Sequence, residues 1–412
     1  MYAILAVLAA IVLIYGAVAG RLERTPFSGA LVFLALGIAL GPVGVGALEL
    51  SVDSAELRTL AELTLALVLF VEAADADLDV LKRSGRLPWR LLAIGLPLTI
   101  GLGFLLGIPI FPELSLLEVA LLATMLAPTD AALGKAVVTN LNVPAGVREG
   151  LKVESGLNDG ICVPVLFALL ALAVGSAPGE DGAIELTLGL FVQEIGIGAA
   201  VGVALALLGG LGLARQARLS GWIGKTWKPV IVPALALLCF ATAQALHGSG
   251  LIAAFVGGIT IAFLRPENRH DWLRAGETTG DTLSLLTWVV FGAAVVGQVL
   301  PDFGWDHVLY AVLSLTVVRM LPMFLAMTGL AIGTDGKLFI GWFGPRGLVS
   351  IVFAIIVFGA GVEHRDSLAM TVVCTVVLSI LAHGLTAVPL AKRFGPRIER
   401  NIERMQARRS RQ

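Results

Sequence analysis

Residues 152–164 read KVESGLNDGICVP and place four polar side chains directly before an apolar run. These are two carboxylates, Glu154 and Asp159, the amide of Asn158 and the hydroxyl of Ser155. On a helix, Glu154 and Asn158 share one face because they are four residues apart, and Ser155 and Asp159 share the adjacent face. The stretch can therefore direct carboxylate, hydroxyl and amide oxygens towards one point, and hard cations prefer oxygen ligands. The alternative is an ordinary helix end at the water interface.

The composition around this stretch is that of an integral membrane protein. The chain has 412 residues, of which 57% are hydrophobic and 14% are charged. A soluble domain has about 45–50% apolar and about 25% charged residues. Apolar residues 161–174 follow the polar cluster immediately, which disfavours a helix end in water. The net charge of −1 offers no bulk attraction for nucleic acid. Cys162, Cys239 and Cys374 lie in apolar segments without metal-ligand spacing, so we interpret them as packing residues.

Thirteen apolar stretches are candidates for membrane-spanning helices, which need about 20 residues each. They are residues 1–20, 27–48, 58–76, 87–109, 116–139, 148–175, 185–214, 228–246, 249–264, 281–300, 307–331, 337–361 and 367–391. The first ends in the signal-peptide-like Ala17-Val18-Ala19 but lacks a charged start, so we interpret it as a helix. Basic residues concentrate in the odd-numbered connections and the tail. This pattern predicts an external N-terminus and a cytoplasmic C-terminus. We expect one transmembrane domain, residues 1–391, and a basic cytoplasmic tail, residues 392–412.

The fifth span contains a proline in its middle, in the motif LLATMLAPTDAALG. Pro128 lacks a backbone donor and moves Ala127 out of helical geometry, so we expect the helix to break there. Thr129 and Asp130 then begin the next half, whose N-terminal dipole favours a carboxylate. An ordinary proline kink is the alternative. Broken helices at membrane depth build ion sites in transporters, so Asp130 is a candidate site residue.

The twelfth span is expected to break at residues 344–347, in LFIGWFGPRGLVSIVFA. Arg346 would then neutralise either a carboxylate such as Glu154 or the negative end of a half-helix. If spans 1–6 and 8–13 are two repeats, both broken spans are the fifth member. The two halves begin in opposite directions, which predicts inverted repeats. Corresponding interrupted segments in two such halves indicate a transporter's binding site.

Four more ionisable residues lie inside or next to predicted spans. A charge at the bilayer centre costs about 2.5–3.5 kcal/mol, so such groups pair, line water or carry ions. Glu72 is near the end of the third span and either reaches the site or faces the cytoplasm. Arg319, deep in the eleventh span, is expected to pair with an acid. His247 and His383 lie towards helix ends, where a structural role is favoured over pH sensing.

Together these motifs resemble the monovalent cation–proton antiporter superfamily. The resemblance is to the branch of archaeal and bacterial sodium/proton exchangers and animal sodium/hydrogen exchangers. It is carried by APTDAALG (127–134), ESGLNDG (154–160), GPRGLVSIVF (344–353) and LSILAHGLTAVPLAKRFG (378–395). The acid of the family's F-E-A-G motif corresponds to Glu72, although Ala74 stands where glycine is usual.

The resemblance implies an all-α membrane fold of about thirteen helices in two inverted six-helix repeats, with two crossed broken helices. It also implies a homodimer in which a core part, roughly 87–175 and 307–391, moves against an interface part, roughly 1–76 and 185–300. The implied cation and proton site consists of Asp159, Asp130, Ser155, Thr129 through its carbonyl, and Glu72. The implied supporting polar network contains Asn158, Glu154 and Arg346, to which we add Arg319.

The expected function is therefore antiport of a monovalent cation, Na+ first, for a proton at Asp159 in the cell membrane. K+/H+ exchange is the alternative, and Li+ is a third possible substrate. The pair Asn158-Asp159 implies one-for-one, electroneutral exchange. Desolvation raises a carboxylate's pKa and a bound cation lowers it, so proton and cation exclude each other. We expect no enzyme activity and no cofactor. An ion channel, a membrane-embedded enzyme and a non-transporting scaffold are less favoured, because no pore loop or nucleophile–base pair is evident.

Overall fold

The computed structural model describes residues 2–22, 28–48, 55–76, 86–130, 133–175, 183–218, 228–264, 269–299, 302–330 and 332–409. Within these ranges all regular structure is helical. The helices are α1 Tyr2–Leu22, α2 Gly29–Leu40, α3 Ala55–Asp75, α4 Arg86–Ile110, α5 Leu116–Met125, α6 Lys135–Val138, α7 Ala145–Gly175, α8 Ala183–Arg218, α9 Lys228–Ala245, α10 Gly250–Leu264, α11 Arg269–Phe291, α12 Trp305–Ala326, α13 Thr334–Trp342, α14 Leu348–Gly359 and α15 Arg365–Arg409. Short π-helical segments interrupt α4 and α12 and extend α11.

Every predicted span coincides with one of these helices or with a pair of them. Within the described ranges, six helices are long and apolar enough to cross a membrane on their own, and six shorter ones are also apolar. The chain is therefore a multi-pass membrane protein, and the count of thirteen spans stays a prediction. Two helices extend beyond the apolar windows. α11 begins at Arg269, twelve residues before the predicted span, and α15 continues through the basic tail to Arg409.

The helices pack into two groups that meet along α7. In the first group α2, α3 and α8 to α11 contact one another, and in the second α4, α5, α7 and α12 to α15 do so. α7 also contacts α3, α8 and α10 of the first group, and α14 contacts α3. Residues 153–160 of α7 are all buried, so this helix is enclosed on every side at the level of the polar cluster.

Both predicted helix breaks are present. α5 ends at Met125, residues 128–130 have no regular structure, and the helix that follows, α6, has only four residues. α13 ends at Trp342 and α14 begins at Leu348. In each case the proline lies inside the gap, as expected for a residue that cannot donate a helical hydrogen bond.

Candidate ion-binding site

The two interrupted segments, residues 126–130 and 343–347, lie directly against each other. The backbone N–H of Asp130 donates to the carbonyl of Pro345 at 2.8 Å. A backbone N–H at one break thus donates to a backbone carbonyl at the other break. This matters because an unpaired polar group costs several kcal/mol inside a bilayer. The crossing of the two segments is the centre of the candidate site.

Asp130 caps a half-helix of the opposite segment. One carboxylate oxygen accepts the N–H of Leu348, the first residue of α14, at 2.9 Å, and the other accepts the N–H of Leu133 at 3.1 Å. Gly347 makes this approach possible, because a Cβ at that position would collide with the carboxylate. The expectation that Asp130 begins the second half of its own span is supported, because its side chain accepts the N–H of Leu133 and its carbonyl accepts the N–H of Gly134 at 3.2 Å, as at a helix N-cap. Its second contact, with the N-terminal end of α14 and the positive end of that dipole, was not expected.

Arg346 performs the reciprocal role at the end of α5. The side chain is fully buried, and Nη1 donates to the carbonyls of Ala127 and Pro128, both at 3.1 Å. These carbonyls follow the C-terminal end of α5, which carries the negative end of the helix dipole. Of the two partners expected for Arg346, the half-helix end is therefore the one it contacts, and Glu154 is not.

Glu154 pairs with Arg319 instead. The two side chains, 2% and 1% exposed, form two contacts of 2.6 and 2.9 Å that connect α7 with α12. This confirms the expectation that Arg319 pairs with an acid. The contact between Nη2 and Oε2 is a charged hydrogen bond, and the contact between Nη1 and Oε1 is an ion pair without hydrogen-bond geometry. The pair holds α7 in place beside the crossing.

Thr129 is held by two polar residues of α7. Its N–H donates to the amide oxygen of Asn158 at 3.4 Å, and the amide nitrogen of Asn158 donates to its hydroxyl at 2.7 Å. The hydroxyl of Ser155 donates to its carbonyl. The structure thus brings these three predicted site residues together. Their contacts orient the carbonyl of Thr129 towards α7.

Asp159 is 1% exposed, and its Oδ1 has no hydrogen-bond donor among the residues that the structure describes. The charges of Glu72, Asp130 and Arg346 all act on this carboxylate. A buried carboxylate needs a compensating partner, which a proton or a cation can supply. The arrangement can therefore hold either of these at Asp159.

Glu72 approaches the site from α3, in the other group of helices. Its backbone and Cβ lie against Gly156, where an added Cβ would be 3.5 Å from the Cβ of Glu72. Its Oε2 is buried without a hydrogen-bond partner in the described ranges. Of the two positions expected for Glu72, the one near the site is observed.

A small cavity adjoins the crossing, with room for about one water molecule. The polar residues that line it are Thr129, Asp130 and Ser155, which carry the hydroxyl and carboxylate groups of the site. Among the described residues, no group of three or more His, Cys, Asp and Glu is arranged to hold a metal ion. The oxygens gathered here are instead a mixture of carboxylate, hydroxyl and carbonyl groups.

Sequence reasoning missed two further buried contacts at the second break. The hydroxyl of Ser379 accepts the N–H of Arg346, and the ring of His383 contacts the carbonyl of Trp342. Their spacing of four residues on an apolar helix is a signal that two polar groups share one buried face.

A bundle of membrane helices in which two interrupted helices cross at a buried polar site is typical of secondary transporters. The chain belongs to the family described as sodium/hydrogen exchanger, transmembrane, which matches residues 6–393.

Relatives and a solved structure agree with this assignment. The chain is 26% identical over 389 residues to the K+/H+ antiporter NhaP2 of Shewanella oneidensis, covering 88% of this chain and 62% of that protein. It is 25% identical over 292 residues to a Na+/H+ antiporter of Schizosaccharomyces pombe, covering 64% and 58%. The chain thus spans about three fifths of the length of these curated relatives. The structure of the sodium proton antiporter MjNhaP1 from Methanocaldococcus jannaschii aligns with a TM-score of 0.75 at 19% identity. It covers 96% of this chain and 99% of that one, which shows a shared fold.

Proposed function

We propose that the protein exchanges a monovalent cation for a proton across the cell membrane and that both bind in turn at Asp159. The observation that carries this proposal is the buried carboxylate of Asp159, one oxygen of which has no donor in the described part of the chain. The names of the relatives, which are antiporters of K+ or Na+ and H+, support the same class of activity.

The coupling of cation and proton transport follows from the cost of leaving the buried carboxylate of Asp159 charged and without a partner. Either a proton or a cation neutralises Asp159, and each occupant disfavours the other because both compensate the same charge. We assign the cation ligands to Asp159, the hydroxyl of Ser155, the carbonyl of Thr129 and the carboxylate of Glu72. Asp130 acts through its charge, since both of its oxygens accept backbone N–H groups. Asn158, Glu154, Arg319 and Arg346 support the site.

We further propose that the exchange is electroneutral, one cation for one proton, with Na+ as the first substrate and K+ as the alternative. Each pH unit then contributes about 1.4 kcal/mol of driving force. Membrane potential contributes nothing, whereas each net charge moved would gain about 2.3 kcal/mol per 100 mV.

Alternating access would move the group containing α7 against the group containing α3 and α10. The separate packing of these groups supports this motion. Close contact at the boundary also supports it, because Gly156 lies against Glu72 and Gly160 against the ring of Phe255. The moving parts would be the core part, 87–175 and 307–391, and the interface part, 1–76 and 185–300. Thirteen spans, inverted repeats, a homodimer, an external N-terminus and a cytoplasmic C-terminus belong to this proposal.

The test is proton movement in sealed proteoliposomes that contain a fluorescent pH dye and an imposed pH gradient. Na+, K+ and Li+ are added in turn, with choline as the inert cation and the membrane voltage set by an ionophore. The variants are Asp159→Ala and Asp159→Asn, and the control is Asp302→Asn at an exposed position. We expect the wild type and the control to collapse the gradient when cation is added, at the same rate at every voltage. Both Asp159 variants should be inactive.

Exchange at wild-type rates in Asp159→Ala would disprove the site. A cation current that does not move protons would indicate a channel. Exchange whose rate follows the voltage would contradict one-for-one stoichiometry while leaving antiport intact.

A further inference from the structure

Two polar residues of α15, Ser379 and His383, are buried beside the second interrupted segment but outside the ion site itself. They are 0% and 1% exposed and lie four residues apart, on one face of the helix. α15 contacts α5, α6, α13 and α14, the four half-helices of the two broken spans. The face of α15 that carries Ser379 and His383 can therefore contact the residues on both sides of the second break.

The contacts of these two residues form a continuous chain. The N–H of Arg346 donates to the Oγ of Ser379 at 2.7 Å, and that Oγ lies 3.2 Å from Nδ1 of His383. On the other side of the ring, Nε2 lies 2.9 Å from the carbonyl of Trp342. A neutral imidazole with its proton on Nε2 donates to Trp342 and accepts the hydroxyl proton of Ser379. Nδ1 also lies 2.9 Å from the carbonyl of Ser379.

The chain spans the break from one end to the other. Trp342 is the last residue of α13, and its carbonyl, which has no helical donor, accepts the N–H of Gly344 at 2.9 Å as well as contacting His383. Arg346 lies one residue before the cap of α14, where backbone N–H groups have lost their acceptors. His383 and Ser379 supply one partner for each. α15 thus fixes both ends of residues 343–347 against a single rigid helix.

We propose that Ser379 and His383 are positioning residues for the ion site and act on it through Arg346, an inference that rests on the proposed function. The N–H of Arg346 is held by Ser379, and its side chain holds the carbonyls of Ala127 and Pro128. The next residue is Thr129, whose carbonyl we assign as a cation ligand. Displacing residues 343–347 would therefore displace a ligand on the other broken helix.

The same helix provides a matched control. Thr375 is also fully buried on α15, and its hydroxyl donates within the helix, to the carbonyl of Thr371 at 2.7 Å. Thr375→Val therefore removes a buried hydroxyl of α15 without touching either break. A second control is Thr386→Val, which removes the acceptor of the Trp342 indole N–H and leaves the Trp342 carbonyl contact in place.

The first measurement is the dependence of exchange rate on cation concentration in proteoliposomes, for Ser379→Ala, His383→Leu and His383→Gln. Outer-shell groups of ion sites typically change affinity about 10–100-fold, so Ser379→Ala and His383→Leu should raise the KM for Na+ or K+ by about tenfold or more. His383→Gln retains an N–H donor for Trp342 and should recover most of the loss. Both threonine controls should keep the wild-type KM. A fall in maximal rate with an unchanged KM in Ser379→Ala would overturn the proposal, because it indicates only less folded protein.

The second measurement does not depend on transport. Hydrogen–deuterium exchange of the 412-residue chain reports on residues 126–130, to which neither Ser379 nor His383 is hydrogen-bonded in the described structure. Faster exchange there in Ser379→Ala, and not in Thr375→Val, supports positioning through Arg346. Unchanged exchange at 126–130 overturns it, whether or not the wild type transports ions. Failure of the wild type to exchange any cation would instead count against the proposed function. If His383→Leu does not fold, Ser379→Ala alone decides both measurements, since it removes a single oxygen.

Discussion

In each of the two interrupted segments a charged side chain contacts the end of a half-helix in the other segment, and the two charges have opposite sign. The first carries an acid, Asp130, after its proline, and the second carries a base, Arg346, after its own. Each charge lies at the end of a half-helix in the other segment, Asp130 at the start of α14 and Arg346 beyond the end of α5. A charge at the appropriate helix end contributes about 0.3–2 kcal/mol. Neither break is therefore stabilised by its own residues alone.

The two segments differ in how far their charges are satisfied. Both oxygens of Asp130 accept backbone N–H groups. Arg346 keeps Nε and Nη2 buried without hydrogen-bond partners in the part of the chain that is described. The acid thus fixes geometry, while the base adds positive charge to a site that contains the carboxylates of Glu72, Asp130 and Asp159. The difference fits the proposal that the first segment supplies the Thr129 carbonyl as an ion ligand, while Arg346 of the second segment balances the charge of the carboxylates.

The largest effect is expected from removing Asp130, the acid of the first segment. Asp130→Ala leaves two backbone N–H groups, those of Leu133 and Leu348, without their acceptor. Hydrogen bonds to a charged group contribute about 1.5–3 kcal/mol each, so the free energy of unfolding should fall by about 3–6 kcal/mol. Exchange should fall to the level of protein-free liposomes. Asp130→Asn keeps one acceptor oxygen and should be intermediate in stability. Denaturant unfolding in detergent with wild-type stability for Asp130→Ala would contradict the capping role.

The Glu154–Arg319 pair tests whether Arg346, the base of the second segment, also pairs with Glu154. Breaking a buried ion pair costs about 3–5 kcal/mol because one charge is left alone. Glu154→Gln and Arg319→Met should each lose that amount, and the double variant should recover most of it. The measurement is a double-mutant cycle on unfolding free energy. The matched cycle combines Glu154→Gln with Arg346→Met and should show a smaller coupling. A larger coupling in that second cycle would make Arg346 the partner of Glu154.

A substitution at Gly347 tests the close approach between the two segments without changing any charge. A methyl group at this position would collide with the Asp130 carboxylate. Overpacking of this kind costs about 1–3 kcal/mol. Gly347→Ala should therefore lower stability by that amount and slow exchange by about tenfold. The control is Gly146→Ala on α7, where nothing lies within 4 Å of an added Cβ and stability should be unchanged or slightly higher. Equal behaviour of the two variants would contradict the close approach.

Much of this arrangement is predictable from the sequence, because local chemistry dictates it. Hydropathy places the helices, and Pro128 and Pro345 place both breaks. A polar residue is costly in an apolar span, so Asn158 and Asp159 are recognisable from the sequence as candidate site residues. Hydropathy finds membrane spans and not helices, which is why the early start of α11 at Arg269 was missed.

The choice of partners was less predictable, because it depends on how distant segments cross. Glu154 and Arg319 are 165 residues apart in sequence, and no local pattern selects Arg319 over Arg346. The capping of α14 by Asp130 has the same origin, since the segments cross at an angle that a sequence does not display. Ser379 was missed, and the signal that could have found it is its spacing of four residues from His383 on an apolar helix.

The smallest effect is expected at the surface where α6, which packs on α7 and α15 of the second group, approaches α11 of the first group. Lys135 of α6 contacts Asp281 of α11 at 3.2 Å, with side chains 58% and 54% exposed. Exposed ion pairs contribute about 0.2–1 kcal/mol and weaken in salt. Lys135→Gln should leave unfolding free energy within about 1 kcal/mol of wild type and change the maximal exchange rate less than about fivefold. That difference should vanish at high ionic strength, and the exposed Lys392→Gln on α15 serves as control. Loss of exchange in Lys135→Gln at every salt concentration would mean that this contact is fixed during transport. The boundary between the groups would then not be the surface along which they move.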